Sequence, residues 1–390
     1  MKIQSLRLQN FRNYSDLELY FHPNVNLIIG DNAQGKTNVL EAISYCLSGE
    51  GFRQSTNRDL IKIDSPHQLG RVEANVVQND VSHKLDVSLS VDKSVHSMDS
   101  KRLSRPELRK NFSVVVFSPD SLSIIKQGPA ERRNLIDHVI NSVLPSKTHV
   151  ISDYAKCLKT RNKVIKDFCD RKLTQAEFKS IIDGLNTIFL DLATQLAVAR
   201  MKIIKSILPE IRSRLRLILK DPSTEIDIEY LISDKSAIDW SANQVYNAIK
   251  SRLEELSDQE IRLSQTLVGP HKHDIKFILN GRDARFYASQ GQQRSVILAF
   301  KVTQVEWHFE ENGEYPVLLL DDVFSELDAE KQACLLEILE GMSAQIFLTT
   351  TDYDRGQAFT EKEKRIFVIK KGFVQRDGIS VRESNANSSY

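Results

Sequence analysis

A chain of 390 residues, 41% hydrophobic and 27% charged, carries enough apolar material for two or three domains with buried cores, which excludes a small disulfide scaffold and wholesale disorder. With 53 Lys and Arg against 52 Asp and Glu, the net charge is +1, so no bulk field drives it onto DNA or a membrane and any nucleic-acid surface has to be local. Cys46, Cys157, Cys169 and Cys334 form no C-x-x-C pair and read as reduced core thiols. No signal-peptide stretch opens the chain and no run approaches about 18 apolar residues, so a cytoplasmic protein without a membrane partner is expected.

Residues 2–29 read as strands, with Leu17, Leu19 and Phe21 alternating against polar neighbours and the run Val25–Ile29 leading into Gly30. A helix is expected over Lys36–Ser48, with Val39, Leu40, Ile43 and Leu47 on one face and Gly49 as its stop. Alternation over 69–77 and 85–91 and the buried-type run Val114–Phe117 predict a mixed sheet up to about residue 120. Long helical patterns then dominate from about 130 to 262 (Glu131–Val143, His149–Arg171, Gln175–Leu219), with one strand at 224–232. After Gly269-Pro270 the strand, helix, strand rhythm returns. The expected fold is α/β, a compact domain with a mixed sheet built from both chain ends (1–125 and 265–378), an inserted helical lobe (126–264), and a mobile tail (379–390).

Gly30-Asp31-Asn32-Ala33-Gln34-Gly35-Lys36-Thr37 matches G-x-x-x-x-G-K-[ST] between an apolar strand and a helix, the context a phosphate-binding loop requires. Glycines let backbone amides turn inward around phosphate oxygens, the helix start adds positive potential, Lys36 reaches the terminal phosphates and Thr37 offers a hydroxyl to magnesium. A buried strand, Pro316–Leu320, ends in Asp321-Asp322. There Asp321 would hold the metal, and Asp322 would act as general base or water orienter. Tyr287-Ala288-Ser289-Gln290-Gly291-Gln292 opens another helix, placing Ser289 and Gly291 where an anion can bind. Ser325–Asp328 and a strand at 345–349 ending in Thr350-Thr351-Asp352 follow.

In that order these motifs resemble the RecF recombination mediators, relatives of the SMC and ABC-type ATPases. The resemblance covers nearly the whole chain: Asn10–Tyr14, the loop continued through Asn38 to Ile43, Phe52-Arg53, Asp59–Ile61, Phe117–Pro119, Gly128-Pro129, Arg132-Arg133, Tyr154, Arg161-Asn162, Gly269–His271, Ser289–Arg294 and Leu320–Asp328. It implies ATP and Mg2+ as cofactors, Lys36 and Asp322 as catalytic residues, and a nucleotide contact by Arg12. It implies that Ser289, Gly291 and Gln292 face the nucleotide of a second copy, which makes the ATP-bound protein a homodimer. It assigns coupling roles to Asp328 and to Thr350, the latter where transporter relatives carry a switch histidine. Asp120 is nominated where relatives place a magnesium-sensing glutamine. At His273 the family more often has an acidic residue, and Asp322 stands where many relatives have Glu, which predicts a weak, DNA-stimulated ATPase.

The same resemblance implies double-stranded and gapped DNA as partners, contact with RecR and RecO, and loading of RecA where SSB coats single strands. Residues 156–172 hold seven Lys or Arg, and 202–220 hold six, which suits salt-dependent, sequence-indifferent phosphate contact. The resulting expectation is an ATP-dependent DNA clamp in recombinational repair. Its alternative is a nucleotide-gated DNA-binding scaffold in which hydrolysis is incidental. A transporter subunit is disfavoured by the helical insertion, and a nuclease by the lack of a separate acidic metal cluster.

Overall fold

The computed structural model describes residues 1–53, 55–143, 148–352, 359, 362–370 and 372–380. The chain divides into two compact units, Met1–Leu122 with Val305–Tyr390, and Ser123–Gln304.

In the first unit the amino-terminal strands enter two sheets rather than the single mixed sheet expected. One is antiparallel throughout, in the order Tyr14–Tyr20, Lys2–Phe11, Leu69–Gln78, Val81–Ser90, Ser94–Met98, Lys101–Leu103. Its alternation buries Leu6, Leu8, Leu17, Leu19, Val72, Val76, Leu85 and Val87 on one face, the pattern of a sheet with one solvated side. The second runs Phe373–Ser380, Lys364–Lys370, Val25–Ile29, Ile346–Thr350, Val317–Asp321, Val114–Phe117, parallel except at its first pair. Continuous apolar runs belong here, because a central parallel strand is covered on both faces; all five residues of Val25–Ile29 and of Val317–Asp321 are buried. Local alternation identifies strands but not which sheet each joins, since that depends on partners 300 residues away. Phe21 ties the layers together, edge-on to Phe347 and Phe367 at 4.8 and 5.8 Å between centroids.

The Lys36–Ser48 helix buries Val39, Leu40, Ala42, Ile43 and Leu47. It stops at Gly49, whose φ of 75° lets its N–H donate to the Tyr45 carbonyl. Ile379 and Ser380, assigned from sequence to a mobile tail, complete the last strand, and 381–390 lie outside the described residues.

The second unit contains the helices Pro129–Val143, Thr148–Cys169, Gln175–Leu219, Ala242–Glu255 and Ser257–Leu263. It also holds a four-stranded sheet, Lys235–Ser236, Ile226–Ile232, Asp274–Leu279, Arg282–Asp283. The lobe was expected to end at 264. It continues to Gln304 because Asp274–Leu279 pairs in register with Ile226–Leu231, a long-range pairing that residue spacing does not announce. The 45-residue helix starts where a capping box sits: Thr174 accepts from the Glu177 N–H, and Glu177 accepts from the Thr174 N–H. An 18-residue window of that helix has mean hydropathy 1.3, long and apolar enough by composition to cross a membrane, contrary to the sequence expectation. Here Leu196, Ala197, Met201, Ile203, Ile204 and Ile207 are buried, and Arg200 pairs with Asp137 through two 2.8 Å bonds, the arrangement of a core helix. Cys46 and Cys157 are buried free thiols as expected, whereas Cys169 is exposed near a helix end.

Buried polar groups fasten this unit. Arg132 binds both oxygens of Asp274 at 2.8 and 2.9 Å. Arg161 binds Glu260 at 2.6 Å, Thr266 at 2.7 Å and Asn186 at 3.0 Å. Tyr154 and Tyr230 place their hydroxyls 2.6 and 2.8 Å from Nδ1 of His271 and His273. His273, where an acidic residue is usual, is thus a core histidine. Burial pushes His271 down to about 4 and His273 well below its ordinary value. Both groups bind protons more readily unfolded, so stability is full above about pH 6.5 and is lost as pH falls toward 4, by at most about 2 kcal/mol per histidine between pH 7 and 5. Melting midpoints of the protein are therefore expected to fall steadily from pH 7 to 5, and His271→Gln to flatten that slope; an unchanged slope would show that the histidine takes up protons to the same extent in both states.

Candidate nucleotide site

Four strand ends of the parallel sheet lie in register: Ile29 opposite Thr350, Thr349 opposite Asp321, and Leu320 opposite Phe117. Their carboxyl ends therefore bring the 30–35 loop, Asp321-Asp322, Ser118–Asp120 and Thr349–Asp352 to one edge, the crevice that open α/β sheets use for ligands.

The loop is shaped by its two glycines. A Cβ at Gly30 would stand 2.3 Å from the Ile369 carbonyl oxygen, so only glycine lets the chain leave the strand there. Gly35 has φ 110°, and a Cβ would meet the Tyr14 hydroxyl at 2.6 Å. The Tyr14 hydroxyl donates to the Gly35 carbonyl at 3.0 Å, and Asn13 Nδ2 to the Gln34 carbonyl at 3.2 Å. Asn38 Nδ2 closes the brace on Asn13 Oδ1 at 2.8 Å.

Lys36 folds back over the loop, its Nζ donating to the carbonyls of Gly30 and Asp31 at 2.7 and 2.8 Å. Burial lowers its pKa, while the fields of Asp322, Asp321 and Asp31 oppose that. The ammonium is therefore clasped by neutral oxygens at the loop's centre, where anionic oxygens would bind it more strongly. The Thr37 hydroxyl donates to Asp321 Oδ1 at 2.8 Å, and the Thr349 hydroxyl to the same oxygen at 2.9 Å. Asp321 is 5% exposed, and burial raises its pKa against those two hydrogen bonds and the field of Arg53. Asp322 takes left-handed backbone, φ 48°. Its N–H donates to Thr349 Oγ1 at 2.9 Å, and its carbonyl accepts from the Ser325 hydroxyl at 2.7 Å.

One carboxylate and one hydroxyl beside a phosphate cradle suit magnesium, which is bound through one or two protein oxygens plus phosphates rather than in an all-protein cage. Among the described residues no group of three or more His, Cys, Asp or Glu forms a metal cluster, in keeping with that mode.

Other predicted residues stand elsewhere or do other work. Arg12, also at positive φ, makes two 2.8 Å bonds to Glu41 and one of 2.9 Å to the Asp59 carbonyl. Glu41 is fully buried, so this arginine serves first as the counter-charge that lets a carboxylate sit beneath the loop helix. Arg12→Ala leaves that carboxylate uncompensated and is expected to cost about 3–5 kcal/mol, read as a lower denaturation midpoint. A parental midpoint with weakened ATP binding would instead assign Arg12 to the nucleotide alone. Asp328 is the N-cap of Ala329–Gly341, accepting from the Lys331 N–H at 3.0 Å, and its hydrogen bonds to Lys331 lower its pKa. Asp120 lies in the first turn of Pro119–Leu122. The Thr350 hydroxyl accepts from the Asp352 N–H at 3.1 Å, whereas Thr349, one residue earlier, bonds the Asp321 carboxylate and the Asp322 backbone N–H. A hydroxyl inside a fully buried strand is a signal the sequence did contain, because such groups are kept where a polar partner awaits them.

In the second unit, Ser289 begins the Gln290–Asn312 helix. Its N–H donates to Gln292 Oε1 at 2.9 Å, and the Gln292 N–H to Ser289 Oγ at 3.2 Å. Gly291 lies in the first turn. Ser289 is exposed, as are Phe286 and Tyr287 just before it. The basic stretches thin out in three dimensions: Arg161 is buried, Lys172 pairs with Asp167 and Asp170, and Lys205 with Asp239. Lys156 pairs with Asp153 at 3.2 Å, while Lys159, Lys163 and Lys166 are exposed, spaced along one face of Thr148–Cys169.

Residues 2–374 match the model of the RecF/RecN/SMC N terminal domain. The chain is 34% identical to the DNA replication and repair protein RecF of Desulforamulus reducens, over 90% of this chain and 92% of that relative. It is 35% identical to the same-named protein of Lachnoclostridium phytofermentans, over 96% and 100%. The solved structure described as the recombination mediator protein RecF-ATP in the RecFOR pathway superposes with a TM-score of 0.84 at 31% identity, covering 96% of this chain and 97% of the other. An Smc head domain with an extended coiled coil, from Pyrococcus furiosus, matches in fold at 16% identity and a TM-score of 0.54. A phosphate loop, paired carboxylates two strands away in the same sheet and a helical insertion thus occur in one chain with these relatives, and it belongs to the RecF family, with the RecF/SMC-type ATPase head fold.

Proposed function

We propose that the protein is an ATP-dependent DNA-binding clamp of recombinational repair, a weak DNA-stimulated ATPase acting in the cytoplasm with RecR and RecO to load RecA at gaps where SSB is bound. The observation that carries this reading is the convergence of Lys36, Thr37, Asp321 and Asp322 at one sheet edge in a chain whose relatives are repair proteins.

In this reading ATP phosphates lie against the loop amides, and Lys36 transfers its hydrogen bonds from the Gly30 and Asp31 carbonyls to phosphate oxygens. Thr37 and Asp321 would hold Mg2+, which supplies positive charge to offset what develops on the phosphates. Asp322 orients a water and accepts its proton as the water oxygen bonds to the γ-phosphorus and the bond to the ADP oxygen breaks; the proton then leaves with phosphate. Each chain has one such half-site and one Ser289–Gln292 helix start. A second copy supplying its Ser289, Gly291 and Gln292 completes each site, giving a two-fold dimer that holds two ATP and loosens after hydrolysis.

The lysine stripe is the proposed contact with duplex DNA. Reversing three charges, Lys159→Glu with Lys163→Glu and Lys166→Glu, should lower ATP-dependent retention on gapped duplex by at least about tenfold at moderate salt and flatten the salt dependence by roughly three counterions. ATP binding should be unchanged. Parental retention and salt slope in that variant would remove the stripe from the DNA path.

A further inference from the structure

Asp321 closes the buried strand and Asp322 follows it in left-handed backbone, and something must fix both at once. The Thr349 hydroxyl touches both. A carboxylate only accepts and a backbone N–H only donates, so the 2.9 Å bond to Asp321 Oδ1 uses the hydroxyl proton and the 2.9 Å bond from the Asp322 N–H uses its lone pair. That leaves one orientation for the group. Thr349 is 1% exposed and faces Asp321 across the parallel pair, so water has little room to replace it.

We propose that Thr349 is a positioning residue for ATP hydrolysis, a single buried hydroxyl that sets the metal-holding carboxylate Asp321 and the left-handed backbone of the base Asp322 together. This inference rests on the assignment of the nucleotide site given above. Thr37 and Thr349 both converge on Oδ1, leaving Oδ2 outside this hydrogen-bond set. Thr37 is also a magnesium-holding residue in that assignment, whereas Thr349 lies behind the carboxylate and serves orientation alone. Asp322 at φ 48° sits where a non-glycine residue is held only if neighbours fix it. The Thr349 oxygen and the Ser325 hydroxyl, 2.7 Å from the Asp322 carbonyl, are those neighbours.

The test compares Thr349→Val, which keeps shape and branching, with Thr349→Ser, which keeps the hydroxyl, by equilibrium titration of a fluorescent ATP analogue against MgCl2, by turnover and by melting. For Thr349→Val the magnesium concentration for half-maximal binding should rise about tenfold or more and turnover fall by about 10–100-fold, while binding in EDTA stays parental. Thr349→Ser should stay within about threefold of the parent on both readings. Thr349→Ala removes the same hydroxyl with less bulk and serves if the valine variant does not fold. A parental magnesium requirement in the variants without the hydroxyl, or equal losses in Thr349→Ser, would overturn the proposal and make Thr349 a packing residue. Asp321→Asn separates the levels: if it too leaves the magnesium requirement unchanged, the site assignment itself fails, not only the role of Thr349.

Discussion

Lys36→Met should reduce ATP turnover by at least about 100-fold, the scale of losing one preorganised charged donor to a transferring phosphoryl group. Lys36 is buried, and its two ammonium partners are backbone carbonyls that stay in place when the side chain is shortened or neutralised. In the variant, phosphate charge would enter a cleft already holding Asp321 and Asp322 without the loop ammonium to meet it, so binding suffers as well as chemistry. The direct reading is thermal: ATP at about 100 times its Kd stabilises a binding-competent protein by roughly 2.7 kcal/mol, and that ATP-induced rise in melting midpoint should vanish in Lys36→Met. A variant that keeps the rise, and keeps ATP-induced retention on DNA, would show that the loop lysine is not the phosphate contact.

Ser289→Arg should abolish turnover about as completely while leaving ATP binding by each subunit intact. The residue is exposed at a helix start, its hydroxyl oxygen accepting from the Gln292 N–H, so a large side chain disturbs no core. It would instead place bulk and charge where the second copy's nucleotide is proposed to dock. Mixing separates this from a local defect. Lys36→Met and Ser289→Arg are each inactive alone, but a mixed dimer has one complete site, formed by Lys36 of one chain and Ser289 of the other. Random pairing of equal amounts makes half the dimers mixed with one site of two working, so about a quarter of parental turnover should return. No recovery on mixing, with ATP binding retained by Ser289→Arg, would mean that Ser289 acts within its own subunit.

Much of the nucleotide site was legible because it is local. The strand Val25–Ile29, the loop and the Lys36–Ser48 helix are consecutive, and their glycines and apolar spacing dictate their shape. The 45-residue helix was legible for a similar reason, since a capping box and an unbroken periodic face mark it from within. Sheet membership was not. The strand Asp274–Leu279 carries ordinary alternation, and only its pairing with Ile226–Leu231 assigns it to the helical unit. Side-chain partnership was equally hidden. The pairing of Arg12 with Glu41, 29 positions away on another element, is visible only once the chain is folded. The part played by Thr349 was hidden because the register that sets it opposite Asp321 comes from tertiary pairing. The lysine-rich stretches read as continuous basic faces, whereas only five of the first stretch's seven cations lie on Thr148–Cys169, which buries Arg161, and Arg171 and Lys172 fall beyond its end.

The central claim, that two copies share each ATP, is tested most directly by ATP turnover per subunit measured across a range of protein concentrations, with and without gapped duplex DNA. A composite site predicts a rate per subunit that rises with concentration and reaches its plateau at lower concentration when DNA is present, because DNA gathers the copies. A rate per subunit that is the same at every concentration, with DNA and without it, would contradict the shared site and leave a self-contained ATPase.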